Sequence, residues 1–467
     1  MTTIHEMASI SPQTLGIQLE FIIFYTNSNN PVSDEEKEKY GLVLEVPEYE
    51  AQTDRIYLEA RWIRQKVADT ITAAGFKARA SDKAKDPDPN RLSFWNIVPD
   101  PTVVVPADNA VVYRPLKNIG IQVDSPVFVD GENTYTEITT VVKAIRAAFW
   151  TAVPPVCSFH VHVGRGGMPL KLQPVQRTAS LLWIAEGLLN TLHAGCRLEN
   201  MACYSLRNFS NLGMGMDAEP ASQYIDEGGE TAEIGFPFHL VDKNKAKPTD
   251  YFYTQPLDIT ESASSTPSRN AAADYDVEMV LRPREISPCK IDVVDGMMRI
   301  LRTADTREVA ELLSSSWRRG AYNFANLSHY ALGGVPERDS LAWARSEVPK
   351  STIEFRQAAG SLDDNWIAIW IKICLALCGP AVVDSSDADF YQLLYNCAKA
   401  EKNPREYDVF DLLHDIGLGV EDIDTVYSRL VSGRHEKEPV LSFHQPEDCQ
   451  EILLVENVQD FIVPACL

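Results

Sequence analysis

Two alternating histidines in the stretch Pro154 to Gly167, PPVCSFHVHVGRGG, stand where an extended strand would aim both at one target. Side chains of a strand alternate between faces, so His160 and His162 emerge together, about 7 Å apart, while Phe159, Val161 and Val163 face the other way. Glycine follows at Gly164, Gly166 and Gly167. Backbone without Cβ lets a phosphate or another bulky anion come close, and Arg165 stands among these glycines.

The same two-residue spacing recurs towards both ends of the chain. Leu15 to Tyr25, LGIQLEFIIFY, puts Gln18 and Glu20 on one face against Ile17, Leu19 and Phe21. Ser351 to Gly360, STIEFRQAAG, does the same with Glu354 and Arg356 against Ile353 and Phe355. Burying such groups unpaired costs roughly several kcal/mol each. The three runs are therefore predicted to be neighbouring strands that line one polar cleft.

Taken singly, each pair also suits a structural role: two hydrogen-bonded histidines, or an in-sheet ion pair worth under about 1 kcal/mol if exposed. Taken together they supply hard oxygen and nitrogen ligands for Mg²⁺ or Mn²⁺, beside an arginine able to grip a phosphate with two parallel hydrogen bonds. That equipment suits metal-assisted phosphoryl chemistry. A metal hydrolase is the remaining alternative, and it would need further histidines such as His193, His239 or His329.

Around these runs the chain supplies helices and further strands. From Arg55 to Ala74, Ile56, Ala60, Ile63, Val67 and Ile71 recur at helical spacing and Gly75 closes the run. Strands are predicted over 92–98, 109–113 and 118–128, and helices over 134–150 and 173–196. Asp124 is assigned to the strand face opposite Gln122, and Glu186 to an exposed helical stripe. Residues 292–301 and 307–317 read as a helical pair, 321–327 as a strand, and Trp366 to Cys378 as a buried helix too short to span a bilayer.

Composition narrows the partners. The chain has 467 residues and a net charge of -23 with no basic block, which argues against nucleic acid. Its nine cysteines include no CxxC pair, and no signal or transit segment is visible at the N-terminus, so a reducing, cytoplasmic setting without membrane contact is expected. Oligomeric state is not readable.

The ordered set LGIQLEF, WNIVPD, IGIQVDSP, SFHVHVG, RLENMACY, AYNFANL and TIEFRQAAGSLD resembles the amidoligase family of the carboxylate-amine ligase and glutamine synthetase superfamily, over roughly residues 15 to 375. The resemblance implies an α+β fold, mainly an antiparallel sheet with helices packed on one face, in a glutamine-synthetase-like catalytic domain. That domain would span 1–384 with an inserted loop or lid at 213–276, followed by a helical extension and tail at 385–467. The implied reaction uses ATP and divalent metal to activate a small-molecule or peptide carboxylate as an acyl phosphate, which an amine then attacks to give an amide.

By the same resemblance Glu20, His160 and Glu354 are metal ligands, His162 and Arg356 contact phosphate and Arg165 assists there. Arg197, Asn200, Asn323 and Asn326 are the substrate contacts. Gln18 and Gln122 occupy metal-site positions where relatives carry glutamate. Losing a charge at about 4 Å, in an effective dielectric near 20, is worth about 4 kcal/mol. A binding or regulatory protein that has lost turnover is therefore the alternative.

Overall fold

Strand β1, Thr14–Asn27, runs through the middle of the sheet. Its alternation places Ile17, Leu19, Phe21 and Ile23 in the main core, and Gln18 and Glu20 on the other face. Beyond Glu20 that second face turns apolar: Ile22 and Phe24 join Val103, Leu116, Trp150, Ala152 and Cys157 in a smaller core. The polar stretch thus ends against an apolar plug.

The computed structural model describes residues 12–27, 33, 43–47, 49, 55–82, 89–100, 102–103, 116–166, 168–198, 200, 203–215, 238–242, 290–314, 320–327, 351–435 and 443–444. The other strands are β2 (Leu44–Val46), β3 (Ala78–Ala80), β4 (Trp95–Pro99), β5 (Lys117–Asp124), β6 (Phe128–Val129), β7 (Thr151–Ala152), β8 (Phe159–Gly164), β9 (Tyr322–Asn323), β10 (Thr352–Phe355) and β11 (Phe443–His444). They form one sheet of order β3-β4-β5-β1-β8-β10-β9, with β2, β6 and β7 also on β1, and β11 on β7. Two pairings, β1 with β2 and β3 with β4, are parallel; the others are antiparallel. The fold is α+β, and β1, β8 and β10 are the neighbours their polar pairs require.

The helices are α1 (Arg55–Ala73), α2 (Glu132–Ala148), α3 (Leu172–Ile184), α4 (Glu186–Asn190), α5 (Gly195–Leu198), α6 (Leu206–Phe209), α7 (Val293–Leu301) and α8 (Thr306–Leu313). After them come α9 (Asp364–Leu377), α10 (Pro380–Val383), α11 (Asp387–Lys402), α12 (Val409–Asp415) and α13 (Val420–Val431). Helices α1, α2, α3 and α9 bury their apolar stripes in the core that holds the inner face of β1, and α11 to α13 contribute to that same core. Gly75, at φ 100°, ends α1 in the left-handed region expected of a helix-closing glycine.

Several expectations change. The helix expected over 173–196 breaks at Ala185, and Glu186, placed on an exposed stripe, is fully buried. Its carboxylate accepts hydrogen bonds from Ser205 Oγ (2.9 Å) and from the backbone N–H groups of Leu206 (2.8 Å) and Arg207 (3.3 Å), capping α6. Arg207 in turn donates to the carbonyls of Trp183 and Ile184 that the break frees, at 2.7 and 2.5 Å. Sequence periodicity could not show this, because the capped turn comes from another part of the chain.

Helix α9 and α10 together give an apolar helical run of 20 residues, Asp364–Val383, long enough by composition to cross a membrane. Most of it is buried inside the protein, so burial, and not the shortness read from the sequence, marks it as a core element. Six described cysteines, including Cys157 and Cys203, are free thiols. The strand expected over 109–113 and most of the 213–276 insertion lie outside the described residues.

Candidate functional site

Register assembles the site. Across the sheet Asn96 lies beside Asp124, Asp124 beside Gln18, and Gln18 beside His160. One pleat along, Gln122 pairs with Glu20; one pleat the other way, His162 stands between Gly16 and Glu354, and Glu354 beside Asn323. Glu20, His160, His162, Glu354 and Arg356 are buried, whereas Gly16, Gln18, Gln122 and Asp124 are only partly covered. The open side of this face is therefore the β5 side.

Two glycines let neighbouring backbone close on the strands. A Cβ at Gly120 would lie 2.0 Å from the Val103 carbonyl oxygen, and one at Gly360 would lie 2.6 Å from Cys157 Cβ. The second contact explains the glycine that ends the TIEFRQAAG run: Gly360 N–H donates to Cys157 O at 2.9 Å and ties β10's exit to β8's entry. Gly16 differs. Among the described residues a Cβ there would meet only Ser125 Oγ at 3.9 Å, so none of them crowds the strand beside His162.

Glu354 and Arg356, two apart on β10, pair with each other: Arg356 Nη1 donates to Glu354 Oε1 at 2.5 Å, and Asn323 Nδ2 donates to Glu354 Oε2 at 2.7 Å. Both carboxylate oxygens are engaged. Glu354 and its partner hydrogen bond hold the Arg356 guanidinium in its charged form despite burial. His162 Nδ1 and Asn326 Nδ2 both lie 3.3 Å from the Thr352 hydroxyl.

Glu20 is bound less completely. Its Oε2 accepts the Ser158 N–H at 2.7 Å, while its Oε1 faces His160 Nε2 at 3.9 Å, beyond hydrogen-bond range. Burial, with Asp100 nearby, pushes its pKa up to about 7. Burial first, and then the Arg356 charge, holds His160 well below the ordinary imidazole range, so it is neutral. Two groups meet Nδ1, Gln18 Oε1 at 3.0 Å and Arg356 Nη1 at 3.4 Å; the nearer one is an acceptor, which assigns that nitrogen the single N–H of a neutral ring. Nε2 is left with a lone pair and no hydrogen-bond partner among the described residues.

That lone pair tests the fit of a metal. An imidazole nitrogen and a carboxylate oxygen 3.9 Å apart can share one small divalent ion. Among the described residues no group of three or more His, Cys, Asp or Glu side chains completes a metal cage, so the remaining ligands would be water and substrate oxygens. Mg²⁺ is commonly held in just that way, by one or two protein groups plus substrate phosphates.

Sequence reasoning brought together Gln18, Glu20, Gln122, His160, His162, Asn323, Asn326, Glu354 and Arg356, and the sheet does the same. Arg165 is not with them. It lines a small crevice with Val163, Ile353 and Cys378 under the helices, because residue 165 continues the phase of Val161 and Val163. Asn200 reaches the Pro155 carbonyl, 3.4 Å away, on the approach to β8. His193, a hydrolase candidate, packs edge-on against Trp370 at 4.5 Å.

Asp124 shares a face with Gln122 and accepts from its Nε2 at 2.6 Å, which corrects the opposite-face assignment. Residues two apart on a strand always share a face. Sequence reasoning missed Ser158, Thr352 and Asp100, although each carried the signal of phase: Ser158 lies two before His160, Thr352 two before Glu354, and Asp100 two after Val98. Comparison with protein-family models, with curated proteins and with solved structures returns no match.

Proposed function

We propose that this face is the active site of an ATP-dependent amidoligase, acting in the cytosol, that joins a small-molecule or peptide carboxylate to an amine on a glutamine-synthetase-like fold. One observation carries the reading: β1, β8 and β10 are adjacent and turn Gln18, Glu20, His160, His162, Glu354 and Arg356 to a single side.

Glu20 and His160 would hold Mg²⁺ or Mn²⁺, which when bound neutralises phosphate oxygens. The protein's own part is positioning. Glu354 and Asn323 fix the Arg356 guanidinium, and Thr352 and Asn326 fix the His162 ring. A phosphoryl group needs in-line placement and charge neutralisation more than covalent help. Preorganised donors provide both without reorganising during the reaction, and orienting two reactants lowers a barrier by roughly 7–11 kcal/mol.

A second reading, a binding protein of this fold without turnover, is favoured by the closure of the network. Gln18 is spent on His160, Gln122 on Asp124, and Glu354 on Arg356. A thermal-unfolding titration with ATP, with Mg²⁺ or Mn²⁺ and with both separates the readings. A ligand at about 100 times its dissociation constant adds roughly 2.7 kcal/mol to the native state. The ligase reading expects metal-dependent stabilisation by ATP that Glu354→Gln loses, followed by phosphate release on adding a carboxylate and an amine. Absence of any shift removes the ligase reading.

A further inference from the structure

The chain slips out of register against β8 just where β10 delivers Arg356. Phe355 pairs with Val161, yet three residues back along β8 Ser158 meets Ala359, which lies four residues beyond Phe355. In that shifted register the Phe159 N–H donates to Ala358 O at 3.1 Å and the Gly360 N–H to Cys157 O at 2.9 Å. One extra residue is thus held between Phe355 and Ala359, which is a β-bulge. On the other flank the Arg356 N–H still follows β9, donating to Ala321 O at 2.8 Å.

A bulge re-aims side chains and interrupts the ladder, so contacts from outside the sheet must hold it. Gln357 supplies one. It is buried, as is Asn190 on α4, and its Nε2 donates to Asn190 Oδ1 at 3.0 Å. The carbonyls of Arg356 and Gln357 accept from the buried Arg197 on α5, at 3.0 and 3.3 Å. Burial raises the pKa of the Tyr322 hydroxyl on β9, and the Gln357 amide beside it opposes that rise.

A buried pair of amides adds little net stability over an apolar pair of the same shape, whereas its directional bond fixes where the bulge sits. The consequence falls on Arg356, whose Nη1 lies 3.4 Å from His160 Nδ1 and donates to Glu354. Resting on the ligase reading for the phosphate it serves, we propose that Gln357 is a positioning residue: anchored to Asn190, it fixes the β10 bulge and with it the Arg356 guanidinium.

The test uses the full chain and two readouts. Without ligand, selective isotope labelling of arginine gives the Nε–H magnetic-resonance signal of Arg356, identified by its loss in Arg356→Gln. Gln357→Met should shift or broaden that signal. So should the paired variant Gln357→Met with Asn190→Leu, which leaves neither amide without a partner and stands in should Gln357→Met fail to fold. In calorimetry with Mn²⁺, either variant should weaken ATP binding by roughly tenfold, and the loss should vanish when Arg356→Gln is already present.

The proposal is overturned if the paired variant keeps the wild-type Arg356 signal, if it binds ATP as tightly as the wild type does, or if the loss of affinity is as large with Arg356→Gln present. A wild type that binds no ATP removes the ligase reading alone, because the Arg356 signal decides the positioning without a ligand. ATP binding by the wild type, with an unmoved Arg356 signal in the variants, removes this proposal alone.

Discussion

Glu186, at the break between α3 and α4, and Glu20, on β1, are both withdrawn from water, but their oxygens are treated differently. Glu186 receives three hydrogen bonds at the start of α6, and Arg207 beside it spans the broken helix and reaches Glu401. Glu20 receives one, and its second oxygen faces an imidazole lone pair. In both, burial raises the carboxyl pKa; around Glu186 the charge of Arg207 and the three donors oppose it. The helical cluster is complete without a ligand, and the sheet cluster has an edge open to one.

The largest expected effect breaks the closed cluster. Glu186→Ala leaves the Ser205 hydroxyl and the Leu206 and Arg207 N–H groups without their buried acceptor and uncaps α6, and should cost about 3–5 kcal/mol of unfolding free energy in denaturant melts. A loss below about 1 kcal/mol would make the cluster incidental.

Glu20 should respond with the opposite sign. Its folded pKa lies above the ordinary carboxylate value, so the fold favours the protonated form. The resulting stability is fully present below about pH 4.5 and is lost as pH rises through about 7, a change of about 3 kcal/mol. Glu20→Gln should be flat over that window and more stable than wild type at pH 8 in metal-free buffer. Parallel pH curves for the two proteins would show that Glu20 does not titrate in the fold.

A smaller effect sharpens the open cluster. Gln18→Glu puts a carboxylate beside His160 Nδ1, 3.0 Å from the present amide oxygen, and should tighten Mn²⁺ binding by roughly tenfold, about 1.4 kcal/mol, in calorimetric titration. Unchanged affinity would place the metal elsewhere. The smallest effect is the control: Arg307→Ala removes a half-exposed pair with Glu311 at 2.7 Å, one helical turn away, and should cost only about 0.3–0.5 kcal/mol.

Much of this contrast was legible beforehand, for one reason. A strand repeats every two residues, so LGIQLEF, FHVHVG and TIEFR each declare a polar face and an apolar face, and the cost of burying polar groups alone demands that the three be neighbours. The same period places Arg165 with Val163 under the helices and Asp124 with Gln122 on the polar side, against the roles first assigned to them. Helix α1 and its closing Gly75 were equally legible, since local spacing and a left-handed residue are local facts.

The sequence by itself thus determined which residues face the cleft and which strands must lie together, because alternation and desolvation act within each run. Only the tertiary structure decided how their charges are spent. That Glu354 is taken by Arg356 and Asn323, and that His160 keeps a lone pair towards Glu20, both depend on contacts between segments up to about two hundred residues apart in the chain. Hydrogen bonds reach about 3 Å and are set by packing, which no local period encodes.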